Sequence, residues 1–467
     1  MDTLGVSPAQ FRELAGRTVD LLAHHLGELE TARSFPVTSG AETERLFSAP
    51  IPEEGMGAAA LDALSEVLRH SCPRSPRFFG YVLGAGDPVA ALGDLVASVL
   101  NQNVTAWRSS PAAVTIERSM VRWLAGALGA PGFSGSLTGG GSSANLMALA
   151  MARESRQPAN ESGARPGAIY ASTQVHMSIP KAVALLGLGR AHLRLIPVDA
   201  GFRMVPRALE QAIEEDRRAG RNQVAIVATA GTINTGAIDP LEEIGAIARR
   251  AGLWLHVDGA YGGFFQLTDE GRRRLAGIER SDSVVLDPHK GLFLPYGTGA
   301  LLVRDGETLK RAHAATADYL PSMQEAPDLV DFNLLSPELS RDFRGLRVWL
   351  PLKMHGIGPF RANLEEKLAL ALRAAEGLAR IPDMEILAEP QLSIVAFRLA
   401  PPGLDPEALD ALNRSLLERV NGRKRVYLTG TLLRGRFAIR ICVLSFRTHR
   451  ERIDTALDDI RAEAARL

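Results

Sequence analysis

The sequence has little cysteine, no excess charge of either sign and no long apolar run. Two cysteines in 467 residues, Cys72 and Cys442, exclude a disulfide framework and a four-cysteine zinc site, and they favour a reducing, cytoplasmic setting. Lys and Arg number 53 and Asp and Glu number 53, which argues against a nucleic-acid binder that works through a basic field. The longest uncharged run, residues 123–152, holds seven glycines, so it does not read as a membrane helix. Charged side chains in the first thirty residues exclude a signal-peptide core. We expect no nucleic-acid, membrane or metal partner.

Apolar runs and helical patterns alternate through the middle of the chain. The predicted strands cover residues 168–172, 193–198, 223–230, 253–257, 283–286 and 299–303, and the predicted helices between them cover 178–187, 206–218 and 240–251. Strands that are apolar along their whole length and separated by helices predict a mostly parallel sheet covered on both faces. This is a doubly wound α/β layout, in which ligands bind beyond the carboxyl ends of the strands.

The two ends of the chain have other patterns. Before the sheet we expect an amphipathic helix at 8–30, an extended connector at 33–56 and a second helix at 57–70; after it, a helix at 360–378, strands at 392–399 and 437–443, and a last helix at 450–466. The chain is therefore divided into an N-terminal helical segment (1–85), a large α/β domain (86–355) and a small α+β domain (356–467).

A glycine-rich loop precedes one helix. Residues 138–145 (TGGGSSAN) lead directly into it, and Ser142 or Ser143 could cap it. Free backbone N–H groups and the helix dipole form an anion site there, suited to a phosphate. The loop lacks the Gly-Lys-Ser/Thr of a P-loop and does not open the first βαβ unit as a dinucleotide fingerprint does. Taken alone, a flexible turn explains it equally well.

A carboxylate ends one predicted strand. Asp258 follows LWLHV and precedes Gly259 and Ala260. A buried aspartate is costly unless it pairs with a cation or is well hydrogen-bonded. It can serve as a turn cap, or it can hold a protonated ring nitrogen with the small residues leaving room for a flat ring.

A lysine and a histidine follow two other strands. Lys290 comes after SVVLDPH, where burial would lower its pKa and make it nucleophilic. His176 follows residues 168–172 and precedes a helix, so it lies near the same carboxyl edge. Each has an ordinary alternative, a surface lysine and a capping histidine. Together with the glycine loop and Asp258, they match the needs of pyridoxal 5′-phosphate for a phosphate site, a pyridine-nitrogen partner, an amine and a stacking face.

The sequence also resembles the group II pyridoxal-phosphate decarboxylases, a family that includes aromatic-L-amino-acid, tyrosine, histidine and glutamate decarboxylases. The resemblance covers nearly the whole chain. The similar motifs are SPAAVTIE (110–117), GTINTGAIDP (231–240), HVDGAYGG (256–263), DPHK (287–290) and SRDFRGLRVW (340–349). The resemblance implies the fold type I scaffold of pyridoxal-phosphate enzymes and decarboxylation of an L-amino acid to an amine and CO2.

The resemblance implies a role for each matched residue. Lys290 would carry the internal aldimine, Asp258 would bind the pyridinium nitrogen, His176 and Ala260 would pack on the two ring faces, Gly141 and Ser142 would contact the phosphate, and His289 would contact cofactor or substrate. Lys290, His176 and Asp258 are thus the expected catalytic residues.

The family further implies a homodimer whose N-terminal segment wraps the partner, with active sites at the interface. The expected substrate pocket consists of Tyr81, Leu83, Asn103, Thr105 and Phe332, in part facing the other subunit's cofactor. An acidic substrate would require an arginine, and only Arg77 and Arg108 flank this region. An aromatic or mid-sized amino acid is therefore favoured.

Three positions depart from the family pattern. Phe332 stands where animal aromatic decarboxylases carry a loop tyrosine that relays a proton, and phenylalanine has no proton to give. Relatives with Phe there resemble aldehyde synthases, so oxidative deamination is the alternative reaction, unless Tyr319 or His176 substitutes. Ile233 replaces a threonine, and Gly291 replaces a frequent tryptophan, which predicts a roomier entrance.

Other functions on this scaffold fit less well. An aminotransferase lacks the DPHK context, and a desulfurase requires a cysteine in a mobile loop. A catalytically inactive cofactor-binding partner or regulatory subunit remains an alternative from another class, although such a copy would be expected to lose Lys290 or Asp258.

Overall fold

The computed structural model describes residues 4–315 and 329–467, apart from residues 49, 51 and 52. Within these residues the larger sheet has seven strands: β1 (Ser134–Thr138), β2 (Ala168–Ser172), β3 (Leu193–Ile196), β4 (Gln223–Thr229), β5 (Trp254–Asp258), β6 (Ser283–Leu286) and β7 (Gly299–Val303). Their order is β1-β7-β6-β5-β4-β2-β3. Strand β7 is antiparallel to both neighbours, and the other strands run in one direction. The predicted mostly parallel sheet is therefore confirmed.

Helices pack around this sheet, and others precede and follow it in the sequence. They are α1 (Pro8–Glu28), α2 (Gly40–Phe47), α3 (Ala63–His70), α4 (Pro88–Leu100), α5 (Pro111–Ala127), α6 (Gly141–Arg156), α7 (Ser178–Leu185), α8 (Pro206–Arg218), α9 (Leu241–Ala251), α10 (Asp269–Arg274), α11 (Pro288–Gly291), α12 (Glu307–His313), α13 (Arg344–His355), α14 (Gly358–Ala379), α15 (Pro406–Gly422) and α16 (Arg450–Ala464). The connector predicted at 33–56 is wrong in part, because Ser39 accepts a hydrogen bond from the backbone N–H of Glu42 and begins α2.

Both faces of the larger sheet are buried in separate apolar cores. Along β4, Ile226 and Ala228 belong to one core, and Ala225 and Val227 belong to the other. Side chains alternate between the faces of a strand, so a strand that is apolar throughout, as the sequence predicts for 223–230, fits a sheet covered on both sides.

The second sheet is smaller and antiparallel. It contains β8 (Met384–Ala388), β9 (Ile394–Leu399), β10 (Thr429–Leu433) and β11 (Arg436–Cys442), in the order β10-β11-β9-β8. Helices α14, α15 and α16 pack against it. The N-terminal side of the chain reaches this sheet as well, because the backbone N–H of Phe79 donates to Tyr427 and its carbonyl accepts from Cys442. The boundaries at 85/86 and 355/356 stay a prediction.

The direction of the strands fixes where ligands can bind. Strands β1 to β6 all end at one edge of the larger sheet, and the residues that follow β1, β2, β5 and β6 are those that the sequence singled out. Strand β1 itself was not predicted, because its sequence, SGSLT, has little β-branched or aromatic character.

Candidate active site

A cavity of about 450 Å³ opens at the carboxyl edge of the larger sheet. The predicted residues on its wall come from five separate stretches of sequence. The predicted residues that line it are Tyr81, Leu83, Gly141, Ser142, His176, Asp258, Ala260, His289 and Lys290. The sheet thus brings residues that are spread over more than two hundred positions of sequence into one site.

The glycine loop forms one end of the cavity. Gly140 has φ +145, a conformation that side chains rarely adopt, and a Cβ on Gly141 would come within 2.8 Å of a carboxylate oxygen of Asp287. Helix α6 begins at Gly141, and no side chain caps it. The predicted capping by Ser142 or Ser143 is therefore wrong, since both lie inside the first turn. The backbone N–H groups of that turn stay available to an anion.

Lys290 lies in the one-turn helix α11 with its Nζ 2.8 Å from Oδ2 of Asp287. Burial lowers the pKa of Lys290, but the carboxylates of Asp287 and Asp258 raise it by more, so the net pKa is above the ordinary value. The expected lowered pKa of Lys290 is wrong, because the carboxylate of Asp287 outweighs burial and its contact with the amine is not visible in the sequence. Asp287 thus holds the amine in the cavity as a charged ammonium.

Asp258 is the last residue of β5, and its side chain is almost fully buried. Its Oδ2 accepts a hydrogen bond from Nδ2 of Asn145 at 2.9 Å, and its Oδ1 accepts one from the backbone N–H of Ala260 at 3.2 Å. Beside it, a Cβ on Gly259 would come within 2.9 Å of the carbonyl oxygen of Val285. The small residues after Asp258 therefore reflect close packing on β6 as well as room for a ring.

Two histidines complete the polar wall. Burial lowers the pKa of His176, and the backbone N–H of Ser178 donates to its Nδ1 at 3.2 Å. Burial also lowers the pKa of His289, whose Nδ1 donates to the carbonyl oxygen of Thr298 at 2.6 Å. Both rings are therefore neutral at neutral pH, and the ring of His289 lies 4.9 Å from that of Tyr296. Neutral imidazoles can pack against a flat cofactor without a desolvated charge.

These residues fit pyridoxal 5′-phosphate. The uncapped start of α6 suits the phosphate, Asp258 suits a protonated ring nitrogen, and Lys290 suits the aldehyde. Two polar atoms on the cavity wall, Oδ1 of Asp287 and Oγ1 of Thr229, are buried without a hydrogen-bond partner. Such orphaned atoms are expected where a polar ligand binds.

The model of the pyridoxal-dependent decarboxylase conserved domain matches residues 57–400. The chain belongs to this family. Among curated relatives, an aromatic-L-amino-acid decarboxylase of Bacillus atrophaeus is 32% identical, over 99% of this chain and 97% of that protein. A phenylacetaldehyde synthase of Petunia hybrida is 30% identical, over 98% of this chain and 95% of that protein.

Solved structures agree with the family. The structure of Oryza sativa TDC with PLP and tryptamine superposes with a TM-score of 0.93 at 27% identity, and it covers 99% of both chains. This decarboxylase therefore has the fold type I scaffold and uses pyridoxal phosphate, as the resemblance implied. It is a carboxy-lyase that decarboxylates an amino acid.

Three predicted pocket residues lie outside the cavity. Phe332 is 1% exposed and packs among Val104, Val114 and Phe343, with the guanidinium of Arg341 4.6 Å from its ring centre. Its assignment to the pocket is wrong for the cavity of its own subunit, because its side chain packs in this cluster and does not line that cavity. Tyr319, the suggested substitute, lies outside the described residues.

Asn103 and Thr105 are also absent from the cavity wall of their own subunit. The Oδ1 of Asn103 accepts from the backbone N–H of Arg341, and Thr105 is nearly buried. Their assignment to the pocket stays a prediction that depends on a second subunit.

The entrance predicted at Gly291 is wrong. Gly291 is buried, and a Cβ there would come within 2.6 Å of Cβ of Phe264. The space is therefore filled by Phe264. Ile233, the other departure, does line the cavity.

Sequence reasoning missed several residues of the wall. They include Asn145, Gln174, Thr229, Asp287 and Tyr296. A signal was present for two of them: Asn145 lies one helical turn after Gly141, on the same face of α6, and Asp287 directly follows β6. Nothing local marks Tyr296, which a bend beyond α11 returns to the cavity.

Proposed function

We propose that this decarboxylase acts on an L-amino acid with an aromatic or mid-sized side chain and releases the corresponding amine. One observation carries the proposal, namely the apolar and aromatic part of the cavity wall. It consists of Tyr81, Val82, Leu83, Ile233 and Tyr296, beside Lys290. Aromatic rings pack favourably against such side chains. The relative from Bacillus atrophaeus, an aromatic-L-amino-acid decarboxylase, supports the same class.

The charges around the cavity disfavour an acidic side chain. No arginine lines the cavity within the part of the chain that the structure describes. Arg77 is engaged elsewhere, since its Nη2 donates to the carbonyl oxygen of Ala32 at 2.6 Å. The ammonium of Lys290 already has Asp287 as its partner. A second carboxylate in the substrate would enter without a cation.

We propose these roles for the residues of the cavity. When bound, pyridoxal phosphate supplies an electron-accepting ring that stabilises the carbanion left after CO2 departs. The N–H groups after Gly140, at Gly141 and Ser142, bind the phosphate. Asp258 would hold a proton on the ring nitrogen, and Ala260 and His176 would pack against the ring.

Lys290 and His176 are the proposed proton carriers. Nζ of Lys290 bears a proton because Asp287 stabilises the ammonium. The Nδ1 of His176 accepts from Ser178, so its hydrogen is on Nε2. We propose that the proton for Cα comes from the ammonium of Lys290 by way of Nε2 of His176, which gives up one proton as it receives another, so that Lys290 is left as the neutral amine and His176 stays neutral. The resemblance to the family first suggested a loop tyrosine for this role. His289 contacts the cofactor or substrate from the side of Tyr296.

Oxidative deamination is the alternative reaction. The phenylacetaldehyde synthase of Petunia hybrida supports it, because this relative is named for an aldehyde product. Phe332 was the residue that made this reaction an alternative. Its side chain packs in the core and does not line the cavity of its own subunit. Decarboxylation to the amine is therefore favoured.

A product assay tests the proposal. Purified protein loaded with pyridoxal phosphate is given a panel of aromatic, aliphatic and acidic amino acids in air, and CO2, amine, aldehyde and peroxide are followed. We expect CO2 with an equal amount of amine from an aromatic or mid-sized substrate, and no peroxide. Preference for an acidic substrate would contradict the substrate class. Aldehyde with peroxide would establish the oxidative reaction, and no CO2 from any amino acid would favour an inactive partner.

We also propose that the protein is a homodimer. Helix α1 has 21 residues, none of them buried, and Phe11, Val19, Leu22 and Leu26 on it are exposed. Helix α4 likewise exposes Leu92, Leu95, Val96, Val99 and Leu100. Apolar surfaces of this extent are unusual on a monomer. A second copy would cover them and bring its residues 103–105 towards the cavity.

A further inference from the structure

A chain of hydrogen bonds runs beneath the cavity from the buried core towards the site. Nε1 of Trp254 donates to Oγ of Ser283 at 2.9 Å, and this Oγ lies 2.9 Å from Nδ1 of His256. The Nε2 of His256 lies 2.7 Å from Oδ1 of Asn145. All four side chains are 5% exposed or less, so water does not compete for these bonds.

The chemistry of the groups fixes the direction of every bond. The carboxylate of Asp258 only accepts, so the amide nitrogen of Asn145 faces it and the amide oxygen faces His256. The Nε2 of His256 must then carry the hydrogen, and its Nδ1 accepts from Ser283. Burial lowers the pKa of His256 to about 4, which agrees with a neutral ring.

A second branch leaves the same amide. The Nδ2 of Asn145 also donates to Oγ of Ser178 at 2.9 Å, and this hydroxyl lies 2.8 Å from Nδ1 of His176. Because the backbone N–H of Ser178 donates to that Nδ1 too, the nitrogen is an acceptor. The hydrogen of His176 is therefore on Nε2.

We propose that Asn145 is a positioning residue that orients the carboxylate of Asp258 and, by donating to the hydroxyl of Ser178, directs the hydrogen of that hydroxyl at Nδ1 of His176. This second donor reinforces the Nε2–H tautomer that the backbone N–H of Ser178 favours. One amide group thus controls the residues proposed for the ring nitrogen and for proton delivery. The inference rests on the proposed function for the importance of those two side chains, but not for the hydrogen bonds themselves.

The position requires this residue type. Aspartate would place a second carboxylate 2.9 Å from Asp258 and offer no donor. Leucine has a similar volume but would remove one hydrogen bond from each of Asp258, His256 and Ser178 and leave one polar atom of each buried and unpaired, which is unfavourable. Asparagine supplies two donors and an acceptor in one plane.

Three variants separate the two branches. Asn145→Leu removes both, Asn145→Asp reverses the polarity at Asp258, and Ser178→Ala removes only the hydroxyl that links Asn145 to His176 while its backbone N–H stays in place. Asn413→Ala is the matched control, because Asn413 is also fully buried and hydrogen-bonded to backbone, but in the small domain. It tests whether loss of stability alone produces the effects.

The first readout is the tautomeric state of the histidines in the protein without cofactor, from the imidazole ¹⁵N shifts of histidine-labelled protein. We expect Nε2–H for His176 and His256 in the wild type. Ser178→Ala should move the Nδ1 shift of His176 alone, because Nδ1 loses one of its two donors, Asn145→Leu should move the shifts of both rings, and Asn413→Ala those of neither. Unchanged shifts for both rings in Asn145→Leu would overturn the proposal. Should that variant not fold, Asn145→Ser, which is smaller and retains one donor, gives the same comparison.

The second readout is the Kd of pyridoxal phosphate, from absorbance titration. We expect it to rise at least tenfold in Asn145→Asp and to stay within twofold in Asn413→Ala; equal losses in both variants would overturn the proposal. The tautomers do not depend on turnover. If the wild type decarboxylates no amino acid while the shifts respond as expected, the proposed function fails and the positioning role stands.

Discussion

Asp258 receives donors on both oxygens, from Asn145 and from the backbone of Ala260, and this fixes its plane at the end of β5. A carboxylate held in this way in a buried site favours a cation within hydrogen-bond distance of its oxygens. The adjacent Lys290 has a separate partner in Asp287, so Asp258 stays available to a ligand.

Asp258→Ala removes that carboxylate. We expect the Kd of pyridoxal phosphate to rise by about ten- to a hundredfold, since a charge-assisted hydrogen bond contributes about 1.5–3 kcal/mol, and CO2 release to disappear. Absorbance titration and CO2 detection measure the two effects. Asp269→Ala, at an exposed position, is the control, and normal turnover in Asp258→Ala would exclude its role.

His313 gives a prediction on pH. Burial lowers its pKa from 6.5 to about 4, so as the pH falls below about 6.5 the unfolded chain takes up a proton that the folded protein does not. The stability that the wild type has relative to His313→Gln is therefore fully present at pH 7 and is lost towards pH 4, on the order of 2 kcal/mol at about pH 4.5. Urea unfolding of both proteins at the two pH values measures this, and a constant difference would contradict it.

At the scale of residues, the sequence predicts functional residues that directly follow a strand. It does not predict the direction in which a side chain points. Lys290, Asp258 and His176 each come after an apolar strand, and all three line the cavity. The resemblance to the family gave Phe332 a position along the chain but not the direction of its side chain, which packs against Arg341. The pKa of Lys290 was misjudged because the contact with Asp287 depends on the turn of α11.

At the scale of elements, two motifs that resembled the family prove to be one structural unit. Glu117 of α5 and Arg341, which precedes α13, form an ion pair at 2.6 Å with both side chains 1% exposed. Arg341 also donates to the carbonyl oxygens of Val104 and Leu137, so it ties β1 and α5 to the chain around Phe332. The sequence contained both motifs but not their contact, because 224 positions separate the two residues.

Breaking this pair should destabilise the protein strongly. Arg341→Ala leaves Glu117 as a buried charge without its partner, and we expect a loss of about 3–5 kcal/mol in the free energy of unfolding. Lys310→Ala removes half of an exposed pair with Glu307 and should cost about 1 kcal/mol or less. Urea denaturation measures both losses. Equal losses in the free energy of unfolding would show that the buried pair stabilises the protein no more than the exposed pair does.

Helix α4 offers the test of the homodimer. Val99 is 62% exposed on its apolar face, so Val99→Arg should shift the wild-type dimer towards monomer by placing a charge in the interface. Leu372→Arg introduces the same charge at an exposed position of α14 and should not. Light scattering after size exclusion measures the mass, and either a monomeric wild type or a dimeric Val99→Arg variant would contradict the proposal.

At the scale of the whole molecule, the smaller sheet contacts the wall of the cavity from outside. Residues 78–79 pair with the chain around Tyr427 and Cys442, and Arg440 of β11 donates to the carbonyl oxygen of Ile233 on the cavity wall. The order of strands and helices predicted this layout well, because burial sets the pattern of each element. It could not predict which loops close the site.

Among the described residues, 4–315 and 329–467, no helix combines the length and the apolar character that a bilayer span needs. A cytoplasmic location, suggested by the two cysteines, stays a prediction.

The central claim is that pyridoxal phosphate binds in this cavity on Lys290. Borohydride reduction of the loaded protein, followed by proteolysis and mass spectrometry, locates the cofactor directly. We predict the added mass on the peptide that contains Lys290, and its absence from Lys290→Ala but not from Lys310→Ala. Cofactor mass on another lysine, or none on any peptide of the wild type, would contradict the account.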